Sequence, residues 1–178
     1  MQQQAGCNTD APRFSRQSSA GDWGHEAFNQ RGDDRLMSRA NYPVLRAIPT
    51  RWSDNDAYGH VNNVIYYSWF DTAVNALLVE WGLLDIQGGA TIGLVVETGC
   101  RYHRSVAFPE TVEAGIRIGR LGNSSVRWEV AIFAAGEDAP AAEGFFVHVY
   151  VDRGSRRPAP LPEPWRARLA PLQRTSGQ

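Results

Sequence analysis

Acidic, amide and imidazole side chains are concentrated in one short segment of this chain. Residues 54–63 contain two carboxylates, a glycine, a histidine and three asparagines, between a strand-like run and a helix-like run. A helix N-terminus carries free backbone N–H groups and a partial positive charge, so it can stabilise a developing oxyanion. A carboxylate placed opposite can attack a carbonyl carbon or deprotonate water. The segment therefore has the residue types needed to cleave an activated carbonyl compound.

A purely structural role fits the same residues. Asp and Asn side chains commonly hold turns and cap helices by accepting backbone N–H groups. On local composition alone, both interpretations of Asp54 and Asp56 stay open. No Gly-x-Ser-x-Gly element argues for a serine nucleophile. The two cysteines and four histidines have no spacing typical of a zinc site, so we expect no metal.

Hydrophobic periodicity predicts the elements that flank this segment. Alternation predicts a strand over residues 44–52, at a sheet edge or with a bulge, because Pro49 lacks a backbone donor. A polar turn over residues 53–62 precedes one long helix, residues 63–81, which Gly82 ends. The helix is apolar over most of its surface, so we expect other structure to wrap it. One apolar stripe at spacings of three and four contains Val64, Tyr67, Phe70, Val74, Leu77, Leu78 and Trp81.

Four more strands are predicted after the helix. They begin at residues 94, 111, 126 and 145, and the last has Phe145, Val147 and Val149 as its apolar alternation. One strand, one long helix and four strands predict an α+β fold in which a five-stranded sheet curls around the helix. One helix cannot cover both sheet faces, so we expect a second subunit to cover the rest. The strand residues predicted to need that cover are Val126, Trp128, Val130 and Ile132.

The N-terminal residues 1–37 have a different composition from the remainder. They are rich in Gln, Ser, Gly, Asp and Asn, and their apolar residues show no period. We predict a disordered extension there and a single domain over residues 38–178. The alternative is a tail that binds a partner through Trp23 and Phe28.

Charge and hydropathy limit the environment and the partners. A formal net charge of −1 gives no basic field, so we expect neither a nucleic-acid nor a membrane partner. No apolar run has the length of a membrane span, and the N-terminus does not have the pattern of a secretory signal. We therefore expect a cytoplasmic protein.

Residues 54–73, which contain the polar segment and the start of the predicted helix, resemble the signature of a known family. Residues 54–66 read Asp-Asn-Asp-Ala-Tyr-Gly-His-Val-Asn-Asn-Val-Ile-Tyr, and residues 70–73 read Phe-Asp-Thr-Ala. This pattern resembles that of hot-dog-fold thioesterases of the 4-hydroxybenzoyl-CoA thioesterase type, over residues 42–165. The resemblance implies a five-stranded antiparallel sheet wrapped around one long helix, and a homodimer or homotetramer.

The resemblance also implies a reaction and roles for individual residues. The reaction is hydrolysis of an acyl-CoA to the free acid and CoA, with no cofactor. By position, Asp56 matches the catalytic carboxylate and the backbone amide at Asn63 matches the oxyanion donor. Whether Asp56 attacks the carbonyl or activates water stays open. The expected substrate-binding residues are His60, Asn62 and Tyr66, with Arg101 and Arg104 as candidates for the CoA phosphates, beside Arg153, Arg156 and Arg157.

Two other functions fit the same fold. A non-enzymatic sensor of acyl-CoA or acyl carrier would leave Asp56 idle. A hydratase or dehydratase would use a catalytic histidine, for which His60 is the candidate.

Overall fold

The computed structural model describes residues 37–173, and every predicted element is present within them. The elements are β1 (Val44–Pro49), α1 (Asn63–Glu80), β2 (Thr91–Tyr102), β3 (Thr111–Leu121), β4 (Ser125–Ala134), β5 (Ala142–Asp152) and a short α2 (Glu163–Leu169). The sheet has the strand order β1-β3-β4-β5-β2, and each neighbouring pair is antiparallel. This confirms the predicted α+β architecture with five strands and one long helix.

Helix α1 begins at the predicted residue and ends one residue before the predicted end. The Asn62 side chain caps it by accepting the N–H of Val64 at 3.1 Å. At the other end Gly82 adopts a positive φ of 68°, and its N–H donates to the carbonyl of Val79. The face packed on the sheet contains Tyr66, Trp69, Phe70, Ala73, Val74, Leu77 and Leu78.

The opposite face of α1 is exposed in this single chain, so the sheet covers the helix on one side. Val64, which belongs to the apolar stripe, is 59% exposed. Asp71 and Thr72 are exposed further along the helix. The helix is therefore buried on one side and free on the other.

The four strand residues predicted to need a second subunit are fully buried within this chain. Val126, Trp128, Val130 and Ile132 have no exposed surface. That prediction was wrong because the C-terminal segment adds cover that the strand pattern does not reveal. Leu161, Leu169 and Leu172 belong to the same core cluster as α1 and these strand residues.

The outer face of the sheet has a small cluster of its own. Tyr42, Ala131 and Phe133 are buried there, and Met37 packs against them. The Arg117 guanidinium lies over the Tyr42 ring at 4.8 Å and donates to Glu129 at 2.7 Å. Met37 is the last residue of the predicted extension; residues 1–36, including Trp23 and Phe28, lie outside the described residues.

The two edge strands differ in exposure. Strand β1 is an edge of six residues ending at Pro49, which confirms the predicted edge position. Strand β2 is the other edge, and Leu94, Val95 and Val96 are 39%, 51% and 61% exposed. Uncovered apolar surface therefore lies along β2 and not on β4. No helix in residues 37–173 is long and apolar enough to cross a membrane.

Candidate active site

Residues 54–62 form a loop that is closed at its base just before α1. The N–H of Asn62 donates to the carbonyl of Asp54 at 2.8 Å. Inside the loop, the N–H of Asp56 donates to the carbonyl of His60 at 2.9 Å. Gly59 adopts a φ of 86°, a conformation that side chains disfavour, and this allows the chain to reverse direction. These bonds fix the backbone of Asp56 within a loop that ends where α1 begins.

The Asp56 carboxylate has one oxygen fixed and one oxygen facing His60. Its Oδ1 accepts the N–H of Tyr58 at 2.8 Å. Its Oδ2 lies 3.4 Å from Nδ1 of His60. The Asp56 side chain is 20% exposed and that of His60 is 46% exposed, so a substrate can reach both.

Asp54 has a structural position in the same loop. Its side chain is fully buried. Its Oδ2 accepts the N–H of Arg51 at 2.8 Å, and its Oδ1 accepts the Nε–H of Arg51 at 3.0 Å. Both carboxylate oxygens are occupied, so the structural interpretation holds for Asp54 while Asp56 has an oxygen available.

The N-terminus of α1 offers one backbone donor. The N–H of Val64 is taken by the Asn62 side chain, whereas that of Asn63 has no acceptor within residues 37–173. The carbonyl of Asn63 accepts the Tyr102 hydroxyl at 3.1 Å, which joins the helix start to the end of β2. The Asn63 amide is therefore free to donate to an oxyanion.

Tyr66 lies in the core beneath this helix start. It is 3% exposed and its ring meets those of Trp69 and Tyr102 at 5.1 Å. Burial raises the pKa of Tyr66 to about 12, so its hydroxyl stays protonated at neutral pH. Its visible role is packing beside the site.

The arginines proposed for CoA phosphates have different surroundings. Arg101 is exposed on β2. Arg104 lines an open cleft of about 520 Å³ together with Glu110 and Glu137, whose charges offset its own. Arg153 donates to three backbone carbonyls of the loop before β2, those of Asp85, Ile86 and Gly89. Its side chain is therefore committed to that loop.

The sequence did not single out the contacts that hold the loop against the rest of the domain. The Asn55 side chain accepts the N–H of Phe108 at 3.0 Å. The N–H of Val61 donates to the carbonyl of Val106 at 2.8 Å. Asn55 and Phe108 are 53 residues apart in sequence, so only the folded chain reveals such a contact.

A second cavity, also missed by the sequence reasoning, lies beside the middle of α1. It encloses about 340 Å³. Residues of α1, β2 and β5 line it: Asp71, Asn75, Gly93, Val95, His148 and Tyr150. The inward residues of β5 are Phe146, His148 and Tyr150, one position out of phase with the predicted stripe. The sequence did contain a signal for this phase, since His148 lies between two aromatic residues at alternate positions of the strand.

Comparison with known proteins identifies the family of this chain. A family model described as the thioesterase-like superfamily matches residues 50–169, which include the loop, α1 and every later strand. The chain belongs to the thioesterase-like superfamily. No curated protein sequence matches it.

Solved structures similar to this superfamily member cover its domain. The PA5185 protein from Pseudomonas aeruginosa strain PAO1 is 55% identical, over 79% of this chain and 98% of that chain, with a TM-score of 0.75. A thioesterase from Thermus thermophilus, solved with coenzyme A and zinc, is 33% identical over 74% of this chain and 95% of that chain, with a TM-score of 0.61.

A third structure confirms the hot-dog fold that the motif implies. It is a 1,4-dihydroxy-2-naphthoyl-CoA thioesterase from Synechocystis, 18% identical over 72% of this chain and 96% of that chain, with a TM-score of 0.65. For this thioesterase-superfamily chain, no three His, Cys, Asp or Glu side chains in residues 37–173 come together as a metal site.

Proposed function

We propose that the protein hydrolyses acyl-CoA thioesters with Asp56 as its catalytic carboxylate. One observation carries the proposal: a partly exposed carboxylate with one oxygen held by the Tyr58 N–H, beside a helix whose first N–H, at Asn63, is free. A carboxylate and an oxyanion donor suffice for a thioester, because a thiolate leaves far more readily than an alkoxide. The finer assignment to the 4-hydroxybenzoyl-CoA type is part of the same proposal.

The reaction can follow two routes through the same residues. In the first, Asp56 takes a proton from water, the hydroxide adds to the thioester carbonyl, and the Asn63 N–H stabilises the oxyanion. The C–S bond then breaks and the CoA thiolate takes up the proton. In the second, Asp56 adds to the carbonyl and expels the thiolate, and water hydrolyses the resulting anhydride.

The solved relatives support the CoA part of the substrate. The Thermus thermophilus thioesterase was solved with coenzyme A, and it is 33% identical over 74% of this chain. We propose that Arg101 and Arg104 contact the CoA phosphates, and that His60 and Asn62 shape the approach to the thioester. The exposure of His60 and its contact with Asp56 support this role.

We also propose that two chains pair along β2. This edge strand has 12 residues and three exposed aliphatic side chains, whereas β1 has six residues and ends in proline. Long, apolar and unblocked strand edges favour pairing with another chain. Tyr102 at the end of β2 contacts Asn63, so a partner on this edge would lie beside the site.

An assay with a panel of acyl-CoA esters tests the reaction. We expect release of free CoA thiol, detected with a thiol reagent, and loss of this release in Asp56→Asn. Binding of acyl-CoA without thiol release would instead support the sensor. Hydration of an enoyl-CoA, followed by loss of its conjugated absorbance and abolished in His60→Ala, would support the hydratase.

A further inference from the structure

The cavity beside the middle of α1 contains buried polar atoms without partners. His148 is 4% exposed and Tyr150 is 1% exposed, and both line the cavity. Nδ1 of His148 and the hydroxyl of Tyr150 form no hydrogen bond of normal geometry with any residue that the structure describes. The indole N–H of Trp128 adjoins the Tyr150 hydroxyl, but it is a donor, so the Tyr150 O–H still lacks an acceptor. A buried polar group without a hydrogen-bond partner destabilises a fold, so such groups commonly bind a ligand or an ordered water.

Gly93 on β2 adjoins these two side chains, and the lack of a Cβ there leaves them uncrowded. A Cβ at Gly93 would lie 3.3 Å from Nδ1 of His148 and 3.3 Å from the Tyr150 ring. Any larger residue on this part of β2 would therefore crowd the polar atoms. The two rings stand perpendicular with centroids 5.9 Å apart, and both residues line the same cavity.

A stripe of α1 connects the cavity with the helix start. Val64, Ser68, Asp71 and Asn75 follow one another at spacings of four, three and four, so they lie along one face. All four are exposed or half-buried, and Asp71 and Asn75 line the cavity. From Asn63 to Asp71 the helix rises about 12 Å. A medium-length acyl chain placed with its thioester at Asn63 can reach the cavity along this face.

We propose that this cavity binds the far end of the acyl chain, and that His148 and Tyr150 select acyl groups with a hydroxyl at that end. The inference rests on the proposed thioester hydrolysis at Asp56. A hydroxyl both donates and accepts, so it can accept the Tyr150 O–H and donate to Nδ1 of His148. A methyl end would leave both polar groups unpaired.

The charges around the cavity argue against an ionised end group. Asp71 faces His148 and would repel a carboxylate. Arg153 also lines the cavity, but it donates to the carbonyls of Asp85, Ile86 and Gly89. Burial lowers the pKa of His148 to about 4, so the imidazole is neutral at pH 7 and Nδ1 can accept.

Matched substrates test the selection. We would measure kcat/KM for decanoyl-CoA and ω-hydroxydecanoyl-CoA on the full chain. We expect the hydroxylated substrate to be preferred by at least about tenfold, because sites with buried polar groups reject analogues that cannot pair them. Tyr150→Phe and His148→Phe should each bring the ratio toward one. Equal rates for the two substrates in the wild-type protein would overturn the inference, as would an unchanged ratio in both variants.

A control variant separates this subsite from a general effect of removing a buried hydroxyl. Tyr42 is 5% exposed on the outer face of the sheet, and its hydroxyl contacts Glu143. Tyr42→Phe should keep the wild-type ratio. The melting temperature of Tyr150→Phe should equal or exceed that of wild type, since its O–H has no protein acceptor. A clear decrease would show a structural hydrogen bond there and contradict the proposal.

Acetyl-CoA and a binding measurement distinguish failure of the subsite from failure of the reaction. Acetyl-CoA is too short to reach the cavity, so its hydrolysis by the wild-type protein reports on the reaction alone. If no acyl-CoA is hydrolysed, the proposed function fails, and thermal shifts with decanoate and ω-hydroxydecanoate still decide the inference. A larger shift with the hydroxy acid, reduced in Tyr150→Phe, supports it; equal shifts overturn it.

Discussion

The Oδ2 atom of Asp56 lies 3.4 Å from Nδ1 of His60, while Oδ1 of the same carboxylate accepts a backbone N–H. The two oxygens therefore differ in function. The hydrogen bond to Oδ1 fixes the rotamer of the carboxylate, and Oδ2 faces His60, which is accessible to substrate. Two variants probe the two residues separately.

Asp56→Asn should lower kcat toward acyl-CoA by at least about a hundredfold, because it removes the charge that attacks the carbonyl or deprotonates water. The amide oxygen can still accept the Tyr58 N–H, so the melting temperature should stay near that of wild type. Steady-state kinetics and thermal denaturation check both points. A near wild-type rate in Asp56→Asn would refute the catalytic assignment.

Asp54→Asn is the matched control, since it makes the same chemical change two residues away. Both Asp54 oxygens accept donors of Arg51, and an amide nitrogen in place of one oxygen cannot accept. We expect a loss of about 1–3 kcal/mol in the free energy of unfolding and a much smaller loss of kcat. A larger loss of kcat than in Asp56→Asn would reverse the two roles.

His60→Ala should lower kcat/KM by less than Asp56→Asn. His60 is 46% exposed and contacts Asp56 through its Nδ1, so it can orient the carboxylate without forming the new bonds. Residual thioester hydrolysis in His60→Ala, measured by thiol release, is the expected result. Complete loss of activity, with a wild-type melting temperature, would favour the hypothesis in which His60 is catalytic.

Much of the fold could be predicted because each element has a local signal. Alternation located the strands, and Gly82 marked the end of α1. The motif singled out Asp56 as the candidate catalytic carboxylate. The family assignment confirms the thioesterase superfamily, and the residue roles stay predictions.

The rest depends on contacts that no local pattern encodes. The cover over Trp128 comes from Leu161, Leu169 and Leu172, far along the chain. The phase of β5 was wrong because valines occupy its outer positions and His148 an inner one. Both aliphatic and aromatic stripes fit that strand, and only packing against α1 decides between them.

Removal of residues 2–36 should leave the melting temperature and kcat nearly unchanged. Their sequence has no apolar period, so we expect no packing contribution from them. Met37 is different, because it packs on Tyr42, Ala131 and Phe133. Met37→Ala in the shortened protein should cost about 1 kcal/mol of unfolding free energy. A large loss on shortening alone would show that the removed segment contributes to the domain.

If two chains pair along β2, a leucine-to-glutamate substitution should affect the assembly more on β2 than on β1. Leu94 on β2 and Leu45 on β1 are each 39% exposed. In light scattering, the wild-type protein should have the mass of two or four chains. Leu94→Glu should reduce this mass, because it places like charges across a two-fold interface, whereas Leu45→Glu should not. A monomeric, fully active wild-type protein would refute the pairing.

His148 predicts a specific loss of stability at acid pH. Burial lowers its pKa from 6.5 to about 4 in the folded protein, and Asp71 on α1 opposes that shift. Below pH 6.5 the unfolded chain therefore binds a proton that the folded chain does not, so stability falls as the pH decreases toward 4. This lowered pKa corresponds to at most about 3 kcal/mol of unfolding free energy. Above pH 6.5 this contribution is fully present.

His148→Phe isolates that contribution. Tyr150 beside it does not titrate in this range, because burial raises its pKa, and Asp71 and Arg153 are unchanged between the two proteins. We would measure urea unfolding of both proteins between about pH 4 and pH 8, which brackets the two histidine pKa values. The wild-type free energy of unfolding should fall relative to that of His148→Phe only as the pH drops below about 6.5. Parallel curves across the whole range would show that His148 is not held neutral by burial, and would remove the reason for treating its Nδ1 as an acceptor.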